Sequence, residues 1–141
     1  MENIYTEQLK NNGLKNTPQR IAILDILFIE EQPISVDDIY IKLKEKNISI
    51  NLSTVYRSIE AMEEKKIISK LDFLNEGKAY YEYNKAGHRH YLICKGCKKI
   101  TTIYSCPLEL YEKTLEQNTN YKIDEHKLCL YGYCPNCNKN K

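Results

Sequence analysis

Only three histidines punctuate this chain of 141 residues, its formal net charge is only +2, and it holds no long apolar run. A membrane-spanning helix needs roughly 20 consecutive apolar residues, so a transmembrane protein is excluded as an expectation. The opening Met1-Glu-Asn-Ile-Tyr5 has neither a basic nor an apolar segment of the kind that directs export, which points to the reducing cytoplasm. The small net charge offers no bulk argument for nucleic acid. Residues 1–83 carry 11 Lys and Arg against 14 Asp and Glu, whereas 84–141 carry 10 against 5. DNA binding by the first half would therefore rest on a few placed cations. No βαβ pattern is visible, which removes the usual setting of a thioredoxin-type Cys-x-x-Cys.

What is present is a doubled knuckle, Cys94-Lys-Gly-Cys97 and Cys134-Pro-Asn-Cys137. In a reducing compartment four thiolates at that spacing suit a tetrahedral structural Zn²⁺ better than two disulfides. Zn²⁺ against four deprotonated sulfurs would take back about two units of the C-terminal positive excess. Cys106 and Cys129 lie outside the knuckles and read as small buried hydrophobes, with a redox-sensitive thiol or a spare ligand as the alternative.

The chain reads as α+β. Thr6 to Asn12 forms a short helical segment stopped by Gly13, and Thr17-Pro18 caps a second helix with Ile21, Ile23, Leu24, Leu27 and Phe28 inward. Ser35 opens a third, with Asp38 three residues on and Val36, Ile39, Tyr40 and Leu43 as its apolar face. A fourth begins near Asn51 or Ser53 and is expected to bury Leu52, Val55, Ile59 and Met62, leaving Thr54, Arg57, Ser58 and Ala61 on the other side. Strand-like runs at 67–73 and 79–83 flank a turn at 75–77. Helices followed by a two-stranded hairpin describe a winged helix over 1–83, in which the helix before the wing enters a DNA groove. Residues 84–87 form a polar hinge. From 88 to 141 the pattern predicts strands at 91–93 and 100–104, a helix from Pro107 to about Asn118, and strands at 121–126 and 128–131. The knuckles would then meet only if the sheet folds back on itself.

On the fourth helix Ser53, Thr54, Tyr56 and Arg57 are the candidate DNA readers, because hydroxyls and helix N-terminal amides suit phosphate and arginine can fork onto guanine. Lys15 and Arg20 bracket the start of the second helix and could reach phosphates or a narrow A·T minor groove. In the second half His88 and His90, at i and i+2, share one face of a strand, and Glu109 and His126 are the available completing ligands. Three imidazoles and a carboxylate suit Zn²⁺ or Fe²⁺.

Four runs carry a resemblance: Gly13-Leu-Lys-Asn-Thr-Pro-Gln-Arg20, Ser53-Thr-Val-Tyr-Arg57, His88-Arg-His-Tyr-Leu-Ile-Cys-Lys-Gly-Cys97, and His126-Lys-Leu-Cys-Leu-Tyr-Gly-Tyr-Cys-Pro-Asn-Cys137. In order and spacing they closely resemble the ferric uptake regulator superfamily across nearly the whole chain. The resemblance implies a homodimeric, metal-dependent repressor with a winged helix, a hinge and a C-terminal α/β dimerisation domain, acting on a palindromic, A·T-rich double-stranded DNA operator. It implies that Cys94, Cys97, Cys134 and Cys137 hold structural zinc, and that His88, His90, Glu109 and His126 form a regulatory site. The family's other, hinge-bridging site is where this chain departs: its usual histidines fall on Arg89 and Tyr91, the N-terminal position falls near Pro33, and Glu82 alone remains. Either sensing has moved wholly to the His88 site, or the register shifts by one residue and His90 serves both patterns.

That departure disfavours a peroxide-sensing member, and a compact four-ligand shell favours zinc over iron as the sensed metal. An enzyme is disfavoured, since four cysteines close a zinc shell and leave no position for catalytic water, and the His-x-Glu of nucleobase deaminases is absent. A zinc-ribbon module that binds protein rather than DNA is the remaining class.

Overall fold

The computed structural model describes residues 2–73, 77–84 and 89–139. The chain forms two compact units, Met1–Lys85 and Ala86–Lys141. Among the described residues no helix is long and apolar enough to cross a membrane.

The first unit contains α1 (Glu2–Asn11), α2 (Pro18–Ile29), β1 (Ile34–Ser35), α3 (Val36–Glu45), α4 (Leu52–Glu64), β2 (Ile68–Leu71) and β3 (Tyr80–Tyr83). Three helices start on side-chain caps that the sequence advertises. The oxygens of Thr17, Ser35 and Asn51 accept from the amides of Arg20, Asp38 and Thr54 at 3.2, 3.2 and 2.8 Å. Three helices also stop by one device. Leu14, Ile48 and Ile67 donate back to the carbonyls of Leu9, Leu43 and Met62, around left-handed residues Gly13, Asn47 and Lys66. Each apolar residue just past the left-handed position thus turns inward. The core gathers Leu9, Ile23, Leu24, Ile39, Leu43, Val55, Ile59 and Met62, all fully buried, with Tyr5, Phe28 and Tyr83 ring against ring at 6.0–6.3 Å between centroids. The Tyr5 hydroxyl donates to Asp25 at 3.1 Å, and burial together with that carboxylate pushes its pKa up.

The sheet order is β1-β3-β2, all antiparallel, with Ile68 opposite Tyr83 and Leu71 opposite Tyr80. The hairpin follows α4 directly, as the winged-helix reading requires; its tip, 74–76, lies outside the described residues. On α4 two expectations are corrected. Leu52, the first helical residue, is exposed because it precedes the point where the helix meets the core, and Ser58 is buried because it shares the stripe of Val55, Ile59 and Met62. Asn84 belongs to this unit. Its amide donates to the Ile67 carbonyl and its side chain to the Lys66 carbonyl, both at 2.9 Å.

The second unit contains β4 (His90–Cys94), β5 (Ile100–Ile103), α5 (Glu109–Thr119), β6 (Cys129–Gly132) and the short α6 (Pro135–Asn138). Its sheet order is β5-β4-β6, with β4 antiparallel to β5 and parallel to β6. The expected strand at 121–126 does not form. The Tyr121 and Ile123 amides are taken instead by the side chains of Thr119 and Glu116, at 3.3 and 2.9 Å, so these donors are spent locally. The helix ends at Asn120, whose φ of 61° turns the chain.

Two candidate metal centres and a candidate DNA-binding helix

Parallel pairing, not a folded-back sheet, brings the cysteine knuckles together. Cys94 is level with Gly132 across the β4–β6 pair, so both strands leave the same end of the sheet and each runs straight into its knuckle. The Lys95 amide donates to the Gly132 carbonyl at 2.7 Å, fastening the two exits. All six cysteines are free thiols, and the sulfurs of Cys94, Cys97, Cys134 and Cys137 lie within 4.8 Å of one another. Cys97 Sγ and Cys134 Sγ are 3.7 Å apart, close to the roughly 3.8 Å between sulfurs of a tetrahedral shell with bonds of about 2.3 Å.

Local backbone prepares this cluster for a cation. The Cys97 and Cys134 amides donate to Cys94 Sγ at 3.4 and 3.3 Å and lower its pKa to about 5. Its neighbours have the opposite effect on Cys137, where hydrogen bonding with the Cys94 and Cys134 sulfurs pushes the thiol up to about 12. Four sulfurs so close cannot all ionise without a compensating charge, which a divalent ion would supply. Gly96 completes the fit. A Cβ there would stand 2.8 Å from Cys137 Sγ, so only glycine lets the second knuckle approach the first. The spacing of the cysteines did not announce that role.

The second cluster joins three separate segments: His90 at the start of β4, Cys106 in the loop after β5, and His126 in the stretch after α5. His90 Nε2 and His126 Nε2 are 3.1 Å apart, and Cys106 Sγ lies 3.3 Å from each. His90 is buried and the other two are half-buried. His126 Nδ1 is hydrogen-bonded to Glu112 Oε1 on α5. A carboxylate only accepts, so Nδ1 carries the hydrogen, and Nε2 is the nitrogen that faces the cluster.

Of the four regulatory residues expected from the sequence, the structure brings His90 and His126 together. His88 lies outside the described residues. Glu109 is exposed at the first position of α5 and is not among the clustered donors; Glu112, one turn later, makes the contact. Glu112 escaped sequence reasoning, and Cys106 entered it only as the spare-ligand alternative to a small buried hydrophobe. Cys106 belongs to no spaced pair, and Glu112 differs from Glu109 only in where the helix points it. Glu82, Arg89 and Tyr91 fall on β3, just before β4, and on β4, and Pro33 is buried just ahead of β1.

The DNA-reader candidates fall on α4 and around the start of α2. Ser53, Tyr56 and Arg57 are exposed and Thr54 is half-exposed. The Thr54 hydroxyl donates to Asn51 Oδ1 at 2.9 Å and accepts from the Arg57 guanidinium at 3.4 Å, so the helix cap also orders the arginine. Arg20 donates to the Lys15 carbonyl at 3.1 Å, bracing the turn ahead of α2 while Lys15 extends into solvent.

A winged-helix unit followed by an α+β unit whose described residues bring together two clusters of candidate metal donors is the architecture of a metal-responsive transcription regulator. The model of the ferric uptake regulator family matches residues 11–131, and the chain belongs to that family. It is 36% identical over 136 residues to the ferric uptake regulation protein of Bacillus subtilis, covering 94% of this chain and 91% of that protein. Among solved structures it is similar to the Vibrio cholerae ferric uptake regulator, with a TM-score of 0.77, 30% identity and coverage of 92% and 98% of the two chains. It is also similar to the Francisella tularensis regulator solved with iron, with a TM-score of 0.75, 30% identity and coverage of 89% and 96%.

Proposed function

We propose that the protein is a homodimeric, metal-dependent repressor of metal-uptake genes, with structural Zn²⁺ on Cys94, Cys97, Cys134 and Cys137 and a regulatory ion held around His90 and His126. The observation that carries this reading is the convergence of two imidazole nitrogens 3.1 Å apart, one oriented by a carboxylate on its far nitrogen. Carboxylate-backed histidines are the ordinary arrangement of metal ligands. His88 is a further proposed donor. Operator contact is assigned to Ser53, Thr54, Tyr56 and Arg57 on α4, supported by Lys15 and Arg20, on a palindromic, A·T-rich site matched to a two-fold dimer. The dimer is supported by exposed apolar side chains of the second unit: Leu92 and Leu130 are level across β4 and β6 and 41% and 48% exposed, and Leu110 on α5 is 76% exposed.

The regulatory ion acts only through a difference in affinity. It must bind the DNA-competent arrangement more tightly than the others, because equal affinity for all of them shifts nothing. With metal plentiful the dimer occupies promoters; with metal scarce it leaves. Zinc is the favoured effector on the small donor set. Iron is the second reading, favoured by the name of the Bacillus subtilis relative. Gel shifts on promoter DNA, with chelator and with Zn²⁺ or Fe²⁺ added back, test the reading. Binding that ignores chelator would refute it, and transcripts under zinc or iron starvation in a strain lacking the protein identify the metal.

A further inference from the structure

We infer that Cys106 is a thiolate ligand of the regulatory ion, forming with His90 and His126 a shell of two nitrogens and one sulfur, that Glu112 acts on it through His126 as a positioning residue, and that this shell selects Zn²⁺. The inference rests on the reading of the His90–His126 cluster as the regulatory site and names the chemistry of that site.

Three donor atoms define the shell. The Nε2–Nε2 edge is 3.1 Å and both Nε2–Sγ edges are 3.3 Å, so they form a nearly regular triangle. Ligand atoms of a tetrahedral zinc shell, with bonds of about 2.0–2.3 Å, are roughly 3.3–3.6 Å apart, so an ion fits with slight expansion and stands just off the triangle's plane. A tetrahedral ion on these three donors has a fourth position that none of the three fills. Each donor is delivered by a different segment, and His126 reaches the point with its proton placed on the opposite nitrogen by Glu112. A thiol serving only as a small hydrophobe gains nothing from lying equidistant from two imidazole nitrogens. An ion there would engage all three at once.

The sulfur decides the metal. Two imidazoles and carboxylates accept Zn²⁺ or Fe²⁺ with little preference, whereas a thiolate in the shell favours Zn²⁺. Glu109 and Glu112 also part company. Both are acidic residues in the first turn of α5, but only Glu112 reaches the histidine.

Cobalt(II) titration of the full-length protein, with zinc kept on the four knuckle cysteines, reads the shell directly, because a thiolate on cobalt gives a sulfur-to-metal charge-transfer band. Wild type should bind one exchangeable cobalt with that band. Cys106→Ser should lose the band and bind cobalt at least roughly tenfold more weakly, the scale on which even outer-shell partners are felt. Cys106→His should restore affinity without the band. Glu112→Gln should keep the band and weaken binding roughly 10–100-fold, whereas Glu109→Gln should change neither. A wild-type cobalt complex lacking the band, or a Cys106→Ser protein that keeps it with its knuckle zinc intact, would overturn the thiolate assignment. If His126→Ala loses exchangeable cobalt while Cys106→Ser binds it as wild type does, the thiolate inference fails and the regulatory site stands. If His126→Ala binds as wild type does, the site itself fails. Should the Cys106 variants not fold, alkylation of Cys106 in the wild-type protein decides: zinc should slow it, and equal rates with and without zinc would refute ligation.

Discussion

Replacing Gly96 by alanine tests whether the two knuckles meet as tightly as the structure shows. The added methyl would stand 2.8 Å from Cys137 Sγ and 3.1 Å from its Cβ, and the Cys94 sulfur is only 3.7 Å away. Real Cβ atoms do not tolerate 2.8 Å, so Cys137 must retreat by several tenths of an ångström. Metal sites accept about ±0.2 Å in their ligand distances, so one zinc–sulfur bond is lost or badly stretched. Overpacking of this kind costs about 1–3 kcal/mol, which corresponds to a roughly five- to 150-fold loss of zinc affinity. Competition against a chromophoric chelator measures that loss, and thermal unfolding of the zinc-loaded protein should show a lower midpoint. Gly132→Ala is the matched control: nothing lies within 4 Å of a Cβ there, so it should bind zinc as wild type does. Unchanged zinc affinity in Gly96→Ala would refute the close approach of the knuckles.

Cys97→Ser or Cys134→Ser should lose the structural zinc and, with it, the folded second unit and the dimer; a variant that remains a folded dimer with one zinc fewer would remove the structural role. Zinc affinity of the four-cysteine site should rise with pH across the neutral range, because the Cys137 proton, held up to about 12 in the metal-free cluster, must leave when zinc binds. It should fall more steeply below about 5, where Cys94 also takes up a proton, and a pH-independent affinity in chelator competition would contradict this. Arg57→Ala should weaken operator binding by about 1–3 kcal/mol if the arginine reads a base, or weaken all sequences alike with a shallower salt dependence if it holds phosphate, and unchanged affinity in a gel shift removes α4 from recognition. His90→Ala should abolish metal-stimulated DNA binding with the knuckle zinc retained, and metal-dependent repression by that variant would move sensing elsewhere.

The sequence by itself determined the helices of the first unit, with the caps at Thr17 and Ser35 and the stop at Gly13, although the first helix begins at Glu2 rather than Thr6. Thr17 and Ser35 announce their caps because capping is a contact across three residues, the structure chooses Asn51 over Ser53 for the fourth helix, and the left-handed residues Gly13 and Asn47 suit the stops they form. The wing was legible for the same reason: alternation and a turn are local. Local reasoning failed on Leu52 and Ser58, where only the docking of α4 decides which residues of the apolar stripe are covered.

The four cysteines were also legible, because a two-residue spacing already closes half of a tetrahedral shell. How the halves meet was a tertiary matter. Parallel pairing of β4 with β6 sets Cys94 level with Gly132, and no run of residues encodes which strand will lie beside which. The histidine cluster depended on the fold most of all. His90, Cys106 and His126 come from three segments, and the one-turn difference between Glu109 and Glu112 becomes meaningful only when α5 is fixed against the segment bearing His126. Sequence supplied the donor types through short-range chemistry. The long-range packing of strands and helix chose which donors face one another.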